Sequence, residues 1–236
     1  MTDLDIGMNQ RLCEPLQWDD ARRYDRGKVL SAEQLDAGFD FGRYKDVDGD
    51  GIPWRTLPGT HPSKGSYFTR GTTRDAYARY SESGNDYIYN VQRLLKKFET
   101  AANLVPAPIV RAASQRTRMG VIYFGSTAPA MDEALEALSS DGVHLDAMRL
   151  RAFPFPQSVP DFIASHDVVF VVEQNRDAQM RTLLINELDV DPAKMVRVLH
   201  YDGTPITARF ITQTIRTHAG RQAAASQRSD AKEAIK

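Results

Sequence analysis

The stretch Met119-Gly-Val-Ile-Tyr-Phe124 decides the fold of this chain, together with a second apolar run, Asp167-Val-Val-Phe-Val-Val-Glu173. Both runs are rich in β-branched and aromatic residues, and neither alternates with polar residues as a half-exposed strand does. Strands without a wet side are typical of a parallel sheet that helices cover on both faces. Weaker strand patterns at His144 to Leu150 and at Val196 to His200 complete a predicted α/β layer.

Helical patterns separate these predicted strands. The first has apolar residues at helical spacing from Met131 to Leu138 and stops at Gly142. Residues that favour helix starts lie at Ser126 or Thr127, Ser158, Asn175 and Thr204-Pro205. Alternation of strand and helix predicts a doubly wound, mostly parallel sheet over residues 106–218, followed by a polar tail, 219–236.

The upstream half of the chain is less regular. Residues 1–37 are predicted to be an arm that lies on another surface, and weak alternation from Thr2 to Asn9 favours a strand there. Residues 38–105 form a loop-rich connector that ends in one amphipathic helix, and a domain boundary is expected near Pro106. The apolar stripe of that helix is predicted to be buried; it comprises Tyr87, Val91, Leu94, Leu95, Phe98 and Ala102.

Composition excludes several classes of function. Lys and Arg number 30 and Asp and Glu number 31, so the net charge of -1 supplies no general attraction to nucleic acid or an anionic membrane. Cys13 is the single cysteine, which excludes an internal disulfide and an all-cysteine metal or iron-sulfur site within the chain. Neither a signal peptide nor an apolar run of about 20 residues is present. We therefore expect a cytoplasmic chain.

The stretch Asp46-Val-Asp-Gly-Asp-Gly51 resembles the first half of a calcium-binding EF-hand loop. Such a loop needs a bidentate acid at its twelfth position, which here is Leu57. We therefore favour a tight turn in which Gly49 and Gly51 adopt positive φ. A calcium-dependent interaction domain that uses Asp46, Asp48 and Asp50 is the alternative.

A second loop gathers three cations, Lys64, Arg70 and Arg74, among glycines and hydroxyl residues. Backbone N–H groups and arginine side chains suit a phosphate or carboxylate, so this loop is a candidate anion site. The alternative, which we favour, is that Arg70 and Arg74 pair with acids of a neighbouring surface. No Walker-type phosphate loop is present in the sequence.

The turn Phe124-Gly-Ser-Thr127 lacks the three spaced glycines of a dinucleotide-binding fingerprint. Glu173 ends its predicted strand where α/β folds place functional groups, but no histidine or nucleophile is evidently paired with it. No catalytic residue and no metal ligand is predicted from the sequence.

Six stretches together resemble the C-terminal part of the α subunit of 2-oxoacid:ferredoxin oxidoreductases, most closely the 2-oxoglutarate branch. They are Thr2 to Asn9, Asp25-Arg-Gly-Lys28, Lys45 to Pro62, Tyr67-Phe-Thr-Arg-Gly-Thr72, Phe124-Gly-Ser126 and Val171-Val-Glu-Gln-Asn175. The resemblance implies that residues 106–218 form a transketolase C-terminal-like domain. It also implies that the start of the chain is the end of a preceding pyrimidine-binding-type domain.

Members of this family decarboxylate a 2-oxoacid on thiamine diphosphate, pass electrons to ferredoxin and form an acyl-CoA. The resemblance therefore implies a complex that contains Mg2+ and an iron-sulfur cluster, with a β subunit and an upstream α segment as partners. Lys64, Arg70 and Arg74 would then contact coenzyme A or a partner. Because the resemblance begins partway through the α subunit, we interpret the chain as a fragment or Met1 as an internal start.

The sequence has neither a complete diphosphate-binding motif nor the cysteines for a cluster, so we expect no cofactor to be held by this chain alone and the isolated chain to be inactive. Exposed apolar surface along Met1 to Trp18 and in the loop region is expected to make it prone to self-association. A free-standing α/β module that binds a small anion or a partner stays open as an alternative.

Overall fold

The computed structural model of the chain describes residues 3–8, 10 and 12–233, with the side chains of Leu4 and of residues 221–233 left aside. The chain forms two compact units: Met1–Arg11 with Val105–Lys236, and Leu12–Leu104. The predicted arm, 1–37, is thus divided between them. Predictions on Met1, Thr2, Asn9, Arg11 and residues 234–236 lie outside the described residues.

A five-stranded sheet forms the centre of the first unit, which we call the α/β unit. The strands are β1 (Ile109–Arg111), β2 (Met119–Phe124), β3 (Asp146–Leu150), β4 (Val168–Glu173) and β5 (Met195–Leu199). They lie in the order β1-β3-β2-β4-β5; β2 to β5 are parallel and only β1 is antiparallel. The predicted doubly wound, mostly parallel sheet is confirmed.

Helices cover both faces of this sheet, because the central strands send alternate side chains into two separate cores. The covering helices are α4 (Ala128–Ser140), α5 (Ser158–Ser165), α6 (Gln179–Leu188) and α7 (Ala208–Glu233). Val121 and Phe170 point into a core with α4 and α7, whereas Ile122 and Val171 point into a core with α5 and α6. All four of these strand side chains are fully buried.

Several predicted element boundaries differ from those observed. Neither Ser126 nor Thr127 caps α4 with its side chain; they belong to a short 3-10 turn, Gly125–Thr127, that precedes the helix. The last helix begins at Ala208, where the Thr207 hydroxyl accepts a hydrogen bond from the Phe210 N–H, rather than at Thr204-Pro205. It continues as backbone helix to Glu233, through most of the predicted tail.

Two short elements of the α/β unit were predicted wrongly. The N-terminal residues Leu4–Met8 form a helix, α1, instead of a strand. The Asp3 side chain explains this, because it accepts a hydrogen bond from the Ile6 N–H as a helix cap does. Strand β1 was missed, since three residues at an exposed edge carry too little apolar pattern to be recognised.

The second unit, Leu12–Leu104, which we call the loop unit, contains little regular structure. Its helices are α2 (Ala32–Asp36) and α3 (Gly84–Ala102), and one parallel bridge joins Val29 to Arg55. Few of its apolar side chains are buried, chiefly those of Leu30 and Leu35. Hydrogen bonds in turns therefore hold much of this unit. Across the part of the chain that is described, no helix has both the length and the apolar character needed to span a membrane.

Helix α3 is amphipathic as predicted, but its faces are reversed. The predicted buried stripe is largely exposed: Tyr87 and Leu95 each keep 60% of their accessible surface. The one buried side chain of the helix is Arg93, at 9% exposure. The sequence pattern located both faces correctly and assigned the wrong one to the interior.

Hydrogen bonds to the loop unit explain why the polar face lies inward. The Arg93 guanidinium donates to the Gly51 carbonyl at 3.1 Å, and the Thr100 hydroxyl donates to the Asp50 carbonyl at 2.6 Å. The Tyr89 hydroxyl accepts from the Asp46 N–H at 2.9 Å. These contacts satisfy backbone groups of a turn that has no strand or helix of its own.

We expect Gly51→Ala to destabilise the loop unit strongly. Gly51 has a φ of 78°, and a Cβ there would lie 2.3 Å from the Lys97 amide nitrogen and 2.6 Å from the Arg93 carbonyl oxygen. Strain and overlap with backbone together should cost at least about 3 kcal/mol. The matched control is Gly49→Ala, because Gly49 has a φ of 73° and no atom within 4 Å of its Cβ position.

The control should cost only about 1 kcal/mol, the strain of a left-handed residue alone. Urea unfolding followed by tryptophan fluorescence measures both losses. Equal losses in the two variants would show that the close approach of Gly51 to α3 does not hold in solution.

Candidate functional site

The candidate site of the α/β unit lies at the carboxyl ends of β2 and β4. The chain leaves β2 for β3 on one side and later returns to β4 on the other, so the winding direction reverses between β2 and β4. Ligands of open α/β sheets bind in the crevice at such a point. The residues that follow the two strands are Gly125 to Thr127 and Gln174 to Asn175.

The side chain of Asp3 enters this crevice. One of its carboxylate oxygens, Oδ2, accepts hydrogen bonds from the Ser126 N–H at 2.7 Å and from the Ser126 hydroxyl at 3.0 Å. Gly125 makes the approach possible, since a Cβ on it would lie 2.1 Å from the same oxygen. The carboxylate thus sits where an α/β fold commonly holds the anion of a ligand.

Gln174 ties together the segments around the crevice. Its amide nitrogen donates to the Ser126 hydroxyl at 2.6 Å, and its amide oxygen accepts from the Ile206 N–H at 3.1 Å. The hydroxyl of Ser126 therefore accepts from Gln174 and donates to Asp3. Neither partner of Ser126 is predictable from the sequence, because a single Asp or Gln carries no pattern.

Glu173, the predicted candidate at the end of β4, is a helix cap. Its carboxylate is fully buried and accepts from the Met180 N–H at 2.7 Å, the Arg181 N–H at 2.9 Å and the Asn175 side-chain amide at 2.8 Å. Asn175 adds a fourth contact, as its side-chain oxygen accepts from the Gln179 N–H at 3.2 Å. The negative charge meets the positive end of the α6 dipole.

A cavity of about 230 Å³ adjoins the crevice. It is smaller than the roughly 300–1,000 Å³ of most ligand pockets. The buried His200 ring packs edge-on against Phe210, and its Nε2 lies 3.4 Å from an Asp202 oxygen. Hydrogen bonds from the Thr204 backbone and hydroxyl, together with His200, lower the pKa of Asp202. The cavity is lined by Asp3, Asp5, Gln174, His200, Tyr201, Gly203 and Thr204.

This edge of the sheet is thus organised by contacts within the chain. Asp3, Gln174 and Glu173 each bond two or more groups and link α1, α6 and the segment before α7. Such an arrangement fixes loop geometry at the carboxyl ends of the strands.

In the loop unit, the Asp46 to Gly51 stretch forms the predicted turn. Gly49 and Gly51 both have positive φ. The two carboxylate oxygens of Asp46 accept the Gly49 and Gly51 N–H groups, each at 3.0 Å. The turn interpretation is confirmed.

The calcium alternative would place a metal ion between Asp48 and Asp50. In the structure the ammonium group of Lys28 lies there. Its ammonium lies 2.6 Å from Asp48 and 2.7 Å from Asp50, and donates to the Ile52 carbonyl at 3.1 Å. Among the described residues, no group of three or more His, Cys, Asp and Glu side chains is placed to hold a metal ion. Nothing in the sequence around Lys28, in the Asp25-Arg-Gly-Lys28 stretch, indicates this ion pairing.

The pKa values of this triad show mutual stabilisation. Hydrogen bonds from Lys28 lower the pKa of Asp48 and of Asp50. Burial lowers the pKa of Lys28, but the hydrogen bonds and charges of the two carboxylates outweigh that effect and leave it raised. All three groups are therefore charged at neutral pH.

The three cations predicted as an anion site have different surroundings. Lys64 lines a cavity of about 350 Å³ and pairs with Asp36 at 2.6 Å. That pairing lowers the pKa of Asp36, with a further contribution from His61. The His61 ring accepts the Lys64 N–H on Nδ1 at 2.9 Å and faces Asp36 through Nε2 at 3.1 Å.

Arg70 is exposed, and its side chain makes no hydrogen bond or ion pair to the other described residues. Arg74 is buried, with its guanidinium about 6 Å from the ring centres of Phe68 and Tyr80. Its Nε has no hydrogen-bond partner. Arg74 is therefore less accessible than Arg70, and its guanidinium lies in cation–π contact with the two aromatic rings.

Comparison with known proteins supplies the wider context. No family model matches the chain. A curated relative, the α subunit of 2-oxoacid:ferredoxin oxidoreductase 2 from Aeropyrum pernix, is 26% identical over 185 residues, which cover 77% of this chain and 27% of the relative. The predicted resemblance to such α subunits is thereby confirmed, as a similarity between most of this chain and about a quarter of that subunit.

One of the solved structures that match the chain gives a similarity of fold. The 2-oxoglutarate:ferredoxin oxidoreductase from Magnetococcus marinus, solved with 2-oxoglutarate, coenzyme A and succinyl-CoA bound, superposes with a TM-score of 0.67 at 20% identity. The match covers 77% of this chain and 31% of that one. An α chain of a probable 2-oxoacid ferredoxin oxidoreductase from Thermoplasma acidophilum, 21% identical, covers 47% of this chain and 95% of its own, with a TM-score of only 0.32.

We expect Lys28→Gln to lower the unfolding temperature at pH 7 by roughly 5 °C, as for a partly solvent-screened charge network in a small unit. The folded pKa values of Asp48 and Asp50 are depressed, so their stabilisation is present above about pH 4 and is lost as the pH falls through the folded values. The difference between variant and wild type should therefore shrink below about pH 4.

Lys97→Gln is the matched control, because Lys97 is exposed on α3. Thermal unfolding between pH 3 and pH 8 provides the measurement. A Lys28 effect that keeps its size at pH 3 would contradict the assignment of the stabilisation to charged carboxylates.

Proposed function

We propose that this chain is a portion of the α subunit of a thiamine-diphosphate-dependent 2-oxoacid:ferredoxin oxidoreductase. Its role is to supply scaffold and subunit interface to an oxidative decarboxylation that yields an acyl-CoA, with 2-oxoglutarate as the expected substrate. The observation that carries the proposal is the similarity to the Aeropyrum α subunit over 77% of the chain. The shared fold with the Magnetococcus enzyme supports it.

The scaffold role rests on the geometry of the α/β unit. The crevice at the carboxyl ends of β2 and β4 is bridged by Asp3, and the buried Glu173 carboxylate is used by the N–H groups of α6. These groups maintain loop positions. The chemistry of the complex would then occur at sites that other segments complete.

The residues of this chain do not fit thiamine diphosphate or an iron-sulfur cluster. Gly49-Asp50-Gly51 superficially resembles part of a diphosphate-binding motif, but the Asp50 carboxylate is held by Lys28 and Gly51 packs against the α3 backbone. Cys13 is the sole cysteine. Thiamine diphosphate, Mg2+ and the cluster would be held by the β subunit and the remaining α segment, while ferredoxin and coenzyme A would meet the assembled complex.

The exposed part of the loop unit is our candidate for contact with coenzyme A or a partner subunit. Arg70 is exposed, and no described residue forms an ion pair with it, so its charge is available to a partner. Lys64, in the same loop of the sequence, lines a cavity. Arg74 would act indirectly, by fixing Phe68 and Tyr80. Exposed Leu12, Leu16 and Trp18 offer further interface surface at the start of the unit.

A second candidate function is a free-standing module that binds a small anion. The 350 Å³ cavity beside Lys64 is the observation that favours it. This function would require binding of pyrophosphate by the isolated chain, and binding lost in Lys64→Gln. It weighs less than the first because Asp36 already neutralises the lysine.

We expect Arg70→Glu to weaken a complex reconstituted from this chain, the remaining α segment and the β subunit. Reversing one exposed charge at a contact should raise either the KM for coenzyme A or the Kd of assembly about 10-fold. Arg79→Glu, a reversal at another exposed arginine of the loop unit, serves as the control. Unchanged co-purification together with an unchanged KM would remove Arg70 from both roles.

A further inference from the structure

Arg74 carries a guanidinium group whose hydrogen-bonding capacity is unused within the described part of the chain. The residue is only 8% exposed, yet its side chain donates no hydrogen bond to another described residue and forms no ion pair with one. Nε is enclosed without a partner, whereas the two terminal nitrogens are not enclosed and so reach solvent. Unpaired donors in an enclosed side chain are costly, and an arginine fork without an internal acceptor suits an anion from outside the chain.

Two exposed aromatic rings frame this guanidinium group. Its central carbon lies 6.0 Å from the ring centre of Phe68 and 5.8 Å from that of Tyr80. Phe68 keeps 69% of its surface accessible and Tyr80 keeps 59%, so much of each ring is open to a ligand. The Tyr80 hydroxyl donates to the Glu82 carboxylate, which helps to hold the ring in place. Aromatic rings that are held in place but remain accessible serve as stacking surfaces for a flat ligand.

Arg70 adds a second cation beside these rings. It is exposed, pairs with no acid among the described residues, and lies two positions after Phe68 in the chain. The Thr72 N–H donates to the Arg70 carbonyl at 2.9 Å, so the chain turns sharply between Arg70 and Arg74. The two arginines thus share one surface with the rings, and that surface has an uncompensated positive charge.

We propose that Phe68, Arg70, Arg74 and Tyr80 form a site for a nucleoside phosphate. The base stacks on the open rings, and the phosphate accepts hydrogen bonds from the Arg74 fork and from Arg70. Arg74 then binds the ligand directly, in addition to holding the two rings. A carboxylate or inorganic phosphate would use the arginines and leave the exposed rings without a role, so a ligand that carries an aromatic base is favoured.

This inference deepens the proposed contact with coenzyme A and rests on the proposed function for the source of the ligand. Coenzyme A ends in an adenosine that carries phosphate groups, and a free nucleotide offers the same chemistry. The surface is proposed to recognise the part that the two sources share.

Titration of the purified full chain with AMP, ribose 5-phosphate and adenosine separates the base from the phosphate. One stacked base and one charge-assisted contact predict a Kd for AMP on the order of 1 mM. Ribose 5-phosphate lacks the base and adenosine lacks the phosphate, so each should bind roughly 10-fold more weakly. The proton resonances of the adenine ring measure the affinities of AMP and adenosine and should move upfield on stacking. Displacement of AMP measures the affinity of ribose 5-phosphate.

Three substitutions locate the site. Phe68→Leu keeps an apolar side chain and removes the ring, so it should raise the Kd for AMP about 10-fold. Arg74→Lys keeps the charge and loses the fork, which should also cost about 10-fold. Arg70→Gln removes an exposed charge and should raise the Kd about 5-fold at low salt.

Two matched controls change similar side chains elsewhere in the loop unit. Tyr87→Leu removes an exposed ring of α3, and Arg79→Gln removes another exposed arginine; both should leave the Kd unchanged. Circular dichroism and thermal unfolding establish that the compared proteins are folded. Because Phe68 and Arg70 are exposed, their variants test the site even if Arg74→Lys does not fold.

Equal affinities for AMP and ribose 5-phosphate would overturn the proposal, and so would no binding of AMP at ten times the expected Kd. AMP binding that Phe68→Leu and Arg70→Gln leave intact would also overturn it. Binding of AMP that needs the base, the phosphate and both side chains would establish the site.

The same measurements separate this inference from the proposed function. If AMP does not bind but Arg70→Glu weakens the reconstituted complex, the nucleotide site is wrong and the proposed function stands. If AMP binds at this surface but the reconstituted complex is inactive, the site stands and the proposed function is wrong. Coenzyme A that displaces AMP and binds more tightly identifies coenzyme A as the source of the ligand, whereas equal or weaker binding identifies a free nucleotide.

Discussion

The close approach of the Gly51 turn to the backbone of α3 sets the organisation of the loop unit. Because Gly51 has no Cβ, the turn can lie against the α3 backbone. In this position the Gly51 carbonyl accepts a hydrogen bond from Arg93, and the Asp50 carbonyl accepts one from Thr100. Asp46 and Lys28 hold the turn from its other sides. Because these bonds use the polar face of α3, the apolar face is left outward. An exposed stripe is thus a consequence of how the turn is stabilised.

The α/β unit follows a different rule. Its strands are apolar on both faces, so helices must cover both, and the residues after β2 and β4 meet at one edge. In this chain Asp3 and Glu173 supply the negative charges that N–H groups at that edge bind. Many α/β folds bind an anionic ligand at this edge. In this chain the edge holds carboxylates of the chain itself, and these carboxylates fix the loops. This supports a scaffold role for the unit.

The sequence predicted the elements whose pattern is determined by burial. Strands β2 and β4 agree with their predicted ranges within a residue, because every position from Val169 to Val172 is buried. The turn at Gly49 and Gly51 was predictable from glycine chemistry. Predictions were wrong where long-range hydrogen bonds decide: periodicity alone could not show which face of α3 is bound, and no local pattern links Lys28 to Asp50 or Asp3 to Ser126. The burial of Arg74 could not be predicted either, because the pattern of its loop does not show that Phe68 and Tyr80 pack against its guanidinium.

We propose that this chain contributes structure to an oxidoreductase whose reaction needs other segments. The most direct measurement mixes the purified chain with thiamine diphosphate, Mg2+, coenzyme A, 2-oxoglutarate and a viologen acceptor and follows viologen reduction by absorbance. We expect no substrate-dependent reduction by the chain alone, and reduction once the remaining α segment and the β subunit are added. Substrate-dependent reduction by this chain without any other subunit would contradict it.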